Sequence, residues 1–430
     1  MKKELLEILR NDVKPALGCT GPISVAFAAS VAKDAIPGTL RHLRVIMDRD
    51  TYKNSISVAT PGTPYMGVLE PAVVGAVYGK CAYGLEVIKD LEGWDREYVD
   101  RFARENTDIE ICWDRKGMGL YIEVFAETEQ GTGHAIIAQT HDGVVLKEAN
   151  GVVLEKAEGF DINDYDFEEK KPIRNYSIRD MYDFAVEVPL EDILFLREAV
   201  TVNGALAQAG LDEEMGARFG VGFRKLDDKS MLGRAKMLSA AAADARMSGK
   251  PLSAMSCGGS GNVGITASVP LIAVAEGLGR DEEALLRSLA LSYLLVISGK
   301  AYIGRLSPMC ACAMVASMGI AAGTVYLLGG NYRDVENAIG NLIGATGGVI
   351  CDGAKYGCAL KLANAAGTAI ECAQLAVSGS SIPARDGFVG DTGDDTLSLL
   401  GLIASKGMLF TDELLCREMI RRENRGMDLP

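Results

Sequence analysis

Hydrophobic positions change their spacing along this chain, and the changes predict its organisation. The opening stretch "MKKELLEILRNDV" has the spacing of an amphipathic helix over residues 2–12, and a much more apolar helix follows over 22–35. "LRHLRVIMDRDTYKN" then reads as a strand running into a loop. Between Asp108 and Lys156 apolar and polar residues alternate in "DIEICW", "GLYIEVFAET", "HAIIAQTH" and "GVVLKEANGVVLEK". This period of two, broken by Gly and Asn, predicts strands of an antiparallel sheet.

After Ser177 the spacing becomes helical almost throughout. Helices are predicted over 179–187, 190–209, 231–247, 266–278, 282–299, 308–327, 333–345, 358–377, 394–405 and 412–424. Their joints are glycine-rich, as in "CGGSGNVG" and "GATGGV", and they follow no fixed repeat. The expected fold is α+β: an N-terminal mixed domain with an antiparallel sheet (1–165), followed by a large all-α domain with buried Gly/Ala-rich helices (175–430). The charged segment 161–177 marks the boundary.

Composition narrows the class. The 430 residues carry a net charge of −14, which leaves no basic block for a nucleic-acid backbone. The amphipathic, acidic first helix does not read as a signal peptide, so the expectation is a cytoplasmic protein. Ten cysteines in such a setting point to metal ligands, nucleophiles or core positions rather than disulfides. Two runs without charge, Leu252–Ala275 and Leu306–Tyr332, are long enough to cross a membrane. Their many small and polar residues favour buried helices and no membrane partner.

Two cysteine-bearing segments carry the candidate chemistry, "RLSPMCACAMVAS" and "GGVICDGAKYGCALKLANAA". Cys310 and Cys312 open one predicted helix, and Cys351 and Cys358 frame a turn into another. Three such thiolates can hold a 4Fe–4S cluster and leave one iron open as a Lewis acid. The alternative is four thiols serving as small apolar core residues. "MSCGGSGNVGITASVP" is a glycine-rich loop before a helix, with backbone N–H groups suited to an anion. In "PALGCTGPIS", Pro22 suits a first helical turn and Thr20 or Gly21 can cap it. Cys19 then sits beside a helix N-terminus, where a thiolate is favoured.

In order along the chain, "PALGCTGPI", "YKNSISVATPGT", "SCGGSGNVGITASVP", "KAYIGRLSPMCAC" and "GGVICDGAKYGCALK" resemble the L-cysteine desulfidase family, related to the iron–sulfur L-serine dehydratase alpha chain. The resemblance covers nearly the whole chain. It implies a 4Fe–4S cluster held by Cys312, Cys351 and Cys358, and β-elimination from a small amino acid. L-cysteine would give pyruvate, ammonia and hydrogen sulfide; L-serine dehydration is the alternative on the same scaffold. It implies Cys19 as a base or transient ligand. Three positions depart from the family pattern: Gly21 stands for a glutamate, Ala311 for a glycine, and "HDG" at His141, Asp142 and Gly143 for "HTN".

On this reading the substrate carboxylate docks at Ser260, Gly261 and Asn262, with Lys300 or Arg305 adding charge. Thr20, Lys53 and Asn54 approach from the N-terminal domain. His141 is expected on a surface strand. A pyridoxal-phosphate lyase using Lys300, a membrane carrier and a metal-storing helical protein are the competing classes. A homo-oligomer is left open.

Overall fold

The computed structural model describes residues 2–18, 20–113, 120–161, 171–304 and 306–423. Its strands are β1 (Val13–Leu17), β2 (Leu40–Asp48), β3 (Thr107–Cys112), β4 (Tyr121–Thr128), β5 (Gly131–Ala138), β6 (Val144–Ala149), β7 (Val152–Lys156) and β8 (Ser253–Cys257). Six form one sheet in the order β3-β2-β4-β5-β6-β7. It is antiparallel except at one edge, where β3 lies parallel to β2 across a helical connection.

Alternation along the strands sorts the side chains. Ile122, Val124, Ala126, Ala135 and Ile137 face the helix Thr20–Asp34, which is buried on every side from Thr20 to Ala32. Tyr121, Ile136 and Ala138 face the opposite way and form a small core with Val145, Leu146 and Phe160. On that second face His134 stacks on Phe125 at 4.3 Å and lies between Glu123 (2.9 Å) and Glu148 (2.6 Å).

In the helical half Glu282–Ile303 packs on Ser317–Leu328 and Gly261–Gly277, while Met231–Met247 packs on Cys358–Val377 and on Gly261–Gly277. Runs of alanine and glycine let these helices approach closely, so most present no polar face. Glu282–Ile303 is long and apolar enough to cross a membrane, yet 83% of its apolar window is buried inside the protein. The uncharged runs 252–275 and 306–332 do not form single long helices; each is broken by the turns that carry the site.

Several elements differ from the sequence expectation. β2 does not lead into a loop: Asp48 caps a helix, Arg49–Ser55, by accepting from the Asp50 and Thr51 N–H groups at 2.9 Å. Helices Leu69–Tyr78, Arg96–Asn106 and Phe219–Leu226 had no counterpart in the pattern. The segment 190–209 is broken: Leu190–Ile193 and Arg197–Asp212 are separated by a tight turn. The helix expected from 266 starts at Gly261, because the Ser260 hydroxyl caps it at the Val263 N–H. The boundary segment 161–177 includes 162–170, which lie outside the described residues.

Both ends of the chain cross between the halves. The first helix, Lys2–Asp12, buries Leu5, Ile8 and Leu9 in the helical core, and β1 pairs antiparallel with β8. The last helix, Leu409–Glu423, packs back on Arg49–Ser55. There Lys53 is ion-paired with Asp412, and the Cys416 thiol donates to the Arg49 carbonyl.

Candidate functional site

Four thiols meet at one cavity. An isolated antiparallel bridge joins Met309 to Ile350. Its flanking bonds, Cys310 N–H to the Val349 carbonyl and Cys351 N–H to the Pro308 carbonyl, are both 2.8 Å. They hold Cys310 beside Cys351, and the Cys310 thiol interacts electrostatically with those of Cys312 and Cys351. Cys312 begins a single π-helical turn, Cys312–Ala316, a feature frequent at functional sites. Cys358 opens the helix Cys358–Val377 and its thiol donates to the Gly353 carbonyl at 3.6 Å. Gly353 has φ +86°, and a Cβ there would stand 2.2 Å from the Lys53 carbonyl oxygen. Only glycine lets the Cys351–Gly353 turn close against the N-terminal half.

The thiols resist ionisation by themselves. The interaction with Cys312, with burial, pushes Cys310 up to about 12. The interaction with Cys310 and burial raise Cys351 well above the ordinary value. Burial lifts Cys358 to about 11. Such thiols ionise when a thiophilic cation takes the proton's place. Among the described residues no three His, Cys, Asp or Glu side chains stand in single-ion geometry. The four thiols come instead from separate turns, and thiols are the soft donors that an iron–sulfur centre takes.

All four cysteines line a cavity of about 90 Å³ between the two halves. Thr20, Asn54, Ser260, Asn262 and Lys300 line it as well. Lys300 is buried and its Nζ donates to the Gly258 carbonyl at 2.7 Å, fixing the glycine-rich turn. Gly261 and Lys53 do not line the cavity. Gly261 packs against the Arg246 side chain, and Lys53 is wholly buried against Asp412 and Asp50. Burial opposes the Lys53 charge, but the Cys351 sulfur and the two carboxylates outweigh it and raise its pKa. Cys19 and Arg305 lie outside the described residues.

Three further side chains reach the cavity. His141, expected on the surface, is 6% exposed and lines it; the turn after β5 folds inward instead of facing solvent. Lys361 lines it too, while donating to the Ile350 carbonyl at 3.1 Å and pairing with Asp352. Arg246 ends the helix Met231–Met247 and bonds the Asn262 side chain at 3.0 Å and the Gly18 carbonyl at 2.6 Å. Its signal in the sequence was a cation inside "AAAADARM", a stretch with no polar face to carry it.

The family described as the serine dehydratase alpha chain matches residues 84–417. A UPF0597 protein of Clostridium tetani is 37% identical over 420 residues, covering 98% of this chain and 99% of its own. UPF0597 proteins of Caldanaerobacter subterraneus (over 427 residues) and Desulfotalea psychrophila (over 442) are each 36% identical. These cover 98% and 99% of this chain and all of their own length.

Proposed function

Because the chain belongs to the serine dehydratase alpha-chain family, we propose that it is an iron–sulfur-dependent lyase that eliminates the β-substituent of a small amino acid. L-cysteine is the proposed substrate, giving pyruvate, ammonia and hydrogen sulfide, with L-serine as the alternative. The observation that carries this reading is the convergence of four buried or half-buried thiols on a cavity that also receives a helix N-terminus and a histidine. Cys312, Cys351 and Cys358 would hold a 4Fe–4S cluster, with Cys310 beside them as a fourth thiol. When bound, such a cluster supplies a Lewis acid for the departing thiolate or hydroxide.

The protein's own part is positioning and proton transfer. Ser260 and Asn262, at the start of the helix Gly261–Gly277, receive the substrate carboxylate at a helix N-terminus, which favours an anion. Negative charge that develops as the α-proton leaves meets these fixed donors. His141 or Cys19 takes that proton: the imidazole is in the cavity wall, and Cys19 adjoins Thr20, which lines it. Lys300 and Asn54 bound the cavity from opposite halves. Loss of the α-proton and the β-thiolate leaves aminoacrylate, which water converts to pyruvate and ammonia. The reading carries with it a cytoplasmic enzyme with a small-molecule substrate.

Anaerobically purified protein is expected to be brown, with broad absorption near ~400 nm from thiolate-to-iron charge transfer. It should release pyruvate from L-cysteine or L-serine. Cys351→Ala and Cys358→Ala should each lose iron, colour and turnover. Variants that stay brown and active would overturn the ligand assignment.

A further inference from the structure

We propose that Arg246 anchors the carboxylate of the substrate, and that the cavity therefore selects small molecules with a free carboxylate. This rests on the reading of the cavity as an amino-acid site and adds a residue to it. Arg246 is 2% exposed. Both of its bonded partners are neutral: the Asn262 Oδ1 at 3.0 Å and the Gly18 carbonyl at 2.6 Å. Its Nε has no hydrogen-bond partner. Among the described residues no carboxylate pairs with it. The nearest acid in sequence, Asp244, accepts instead from the Gly220 N–H at 2.8 Å.

A buried guanidinium without a counter-charge is costly, and proteins rarely keep one without an anion to meet it. This chain carries 58 acidic residues, so the missing partner is not a matter of supply. Lys53, another deeply buried cation nearby, is paired with Asp412 in the usual way. No Asp or Glu is found among the described residues that line the cavity, whereas Arg246, Lys300 and Lys361 all do. Arg246 is also shaped to the place. A Cβ at Gly261 would lie 2.4 Å from its Nε, so the glycine lets the guanidinium rest against the first turn of the helix Gly261–Gly277. The planar fork and the turn's N–H groups are both matched to a carboxylate.

The test uses L-alanine, which has a carboxylate but no β-leaving group, and alaninol, which lacks the carboxylate. Each is titrated calorimetrically into the anaerobically purified protein. L-alanine should bind at least 10-fold more tightly than alaninol. Arg246→Gln should weaken L-alanine about 100-fold, the scale of a lost charge-assisted bond pair, and Arg246→Lys less. Should Arg246→Gln not fold, Asn262→Asp places a carboxylate on the guanidinium from within. That variant should stay folded and lose L-alanine binding. L-alanine binding equal to that of alaninol, or unchanged in Asn262→Asp, overturns the proposal. A protein that binds L-alanine through Arg246 but releases no pyruvate would sink the lyase reading alone. Turnover with an unchanged KM in these variants would sink the anchor alone.

Discussion

Lys53 and Arg246 are both buried, both next to the site, and neutralised in opposite ways. Lys53 has Asp412 and Asp50 around it. Asp412→Ala should cost about 3–5 kcal/mol in urea unfolding, because it leaves a buried ammonium short of one counter-charge. The double variant Lys53→Met/Asp412→Leu should recover most of that loss, since two apolar side chains leave no charge stranded. Equal losses in the single and double variants would show that the pair contributes packing alone. The cysteine residues were legible in the sequence because thiol spacing is a chemical signal in itself. His141 and Arg246 were not. A histidine after an alternating strand reads as surface, and nothing local shows that the turn folds inward. Arg246 stands among alanines whose burial on all sides only the packing of the helices sets.

Among elements, the six-stranded sheet carries a pH-dependent contact of its own. His134 lies between Glu123 and Glu148, with Tyr121 donating to Glu123 at 2.7 Å. Burial opposes its charge, yet the two carboxylates outweigh it and raise its pKa above the ordinary 6.5. The raised folded value means the stabilisation is complete below the unfolded pKa and fades as pH rises through the folded one. His134→Gln should therefore lower the urea midpoint more at pH 6 than at pH 9. An equal drop at both would mean that the imidazole does not change its charge between those two pH values. Strand alternation in this sheet was legible because one face packs on the helix Thr20–Asp34. The start of the helix Gly261–Gly277 was placed five residues late, since glycines read as loop. The Ser260 cap, a single side-chain contact, overrides that propensity.

At the scale of the whole molecule the two halves are tied by the chain's own ends. Trp94 and Trp113 both lie in the N-terminal half, whereas most helix lies in the other. Tryptophan fluorescence and far-ultraviolet circular dichroism should therefore give coincident urea transitions in the full chain. Deleting 409–430 removes the Lys53–Asp412 pair and the Arg417 guanidinium 4.2 Å over the Trp113 ring, and should pull the two transitions apart. Coincident transitions after deletion would show that the β1–β8 pairing, the first helix and the cavity walls couple the halves without the last helix. The α+β class was legible because the two periodicities occupy different stretches. The crossing of the ends was not, because residues more than two hundred positions apart leave no trace in a local pattern.

The pairing of β1 with β8 also imposes an order on events in the cell. Val13 must meet Cys257, and the Gly258 N–H bonds the Asp12 carbonyl at 3.1 Å, so the turn before Ser260 is finished by a strand made long before it. A nascent chain has to hold that strand unmatched through about 240 more residues, roughly 12–50 s of synthesis. A bulky amino-terminal fusion, or proteolysis within the first dozen residues, would then act directly on the loop beside the thiols, although that loop lies beyond the middle of the polypeptide.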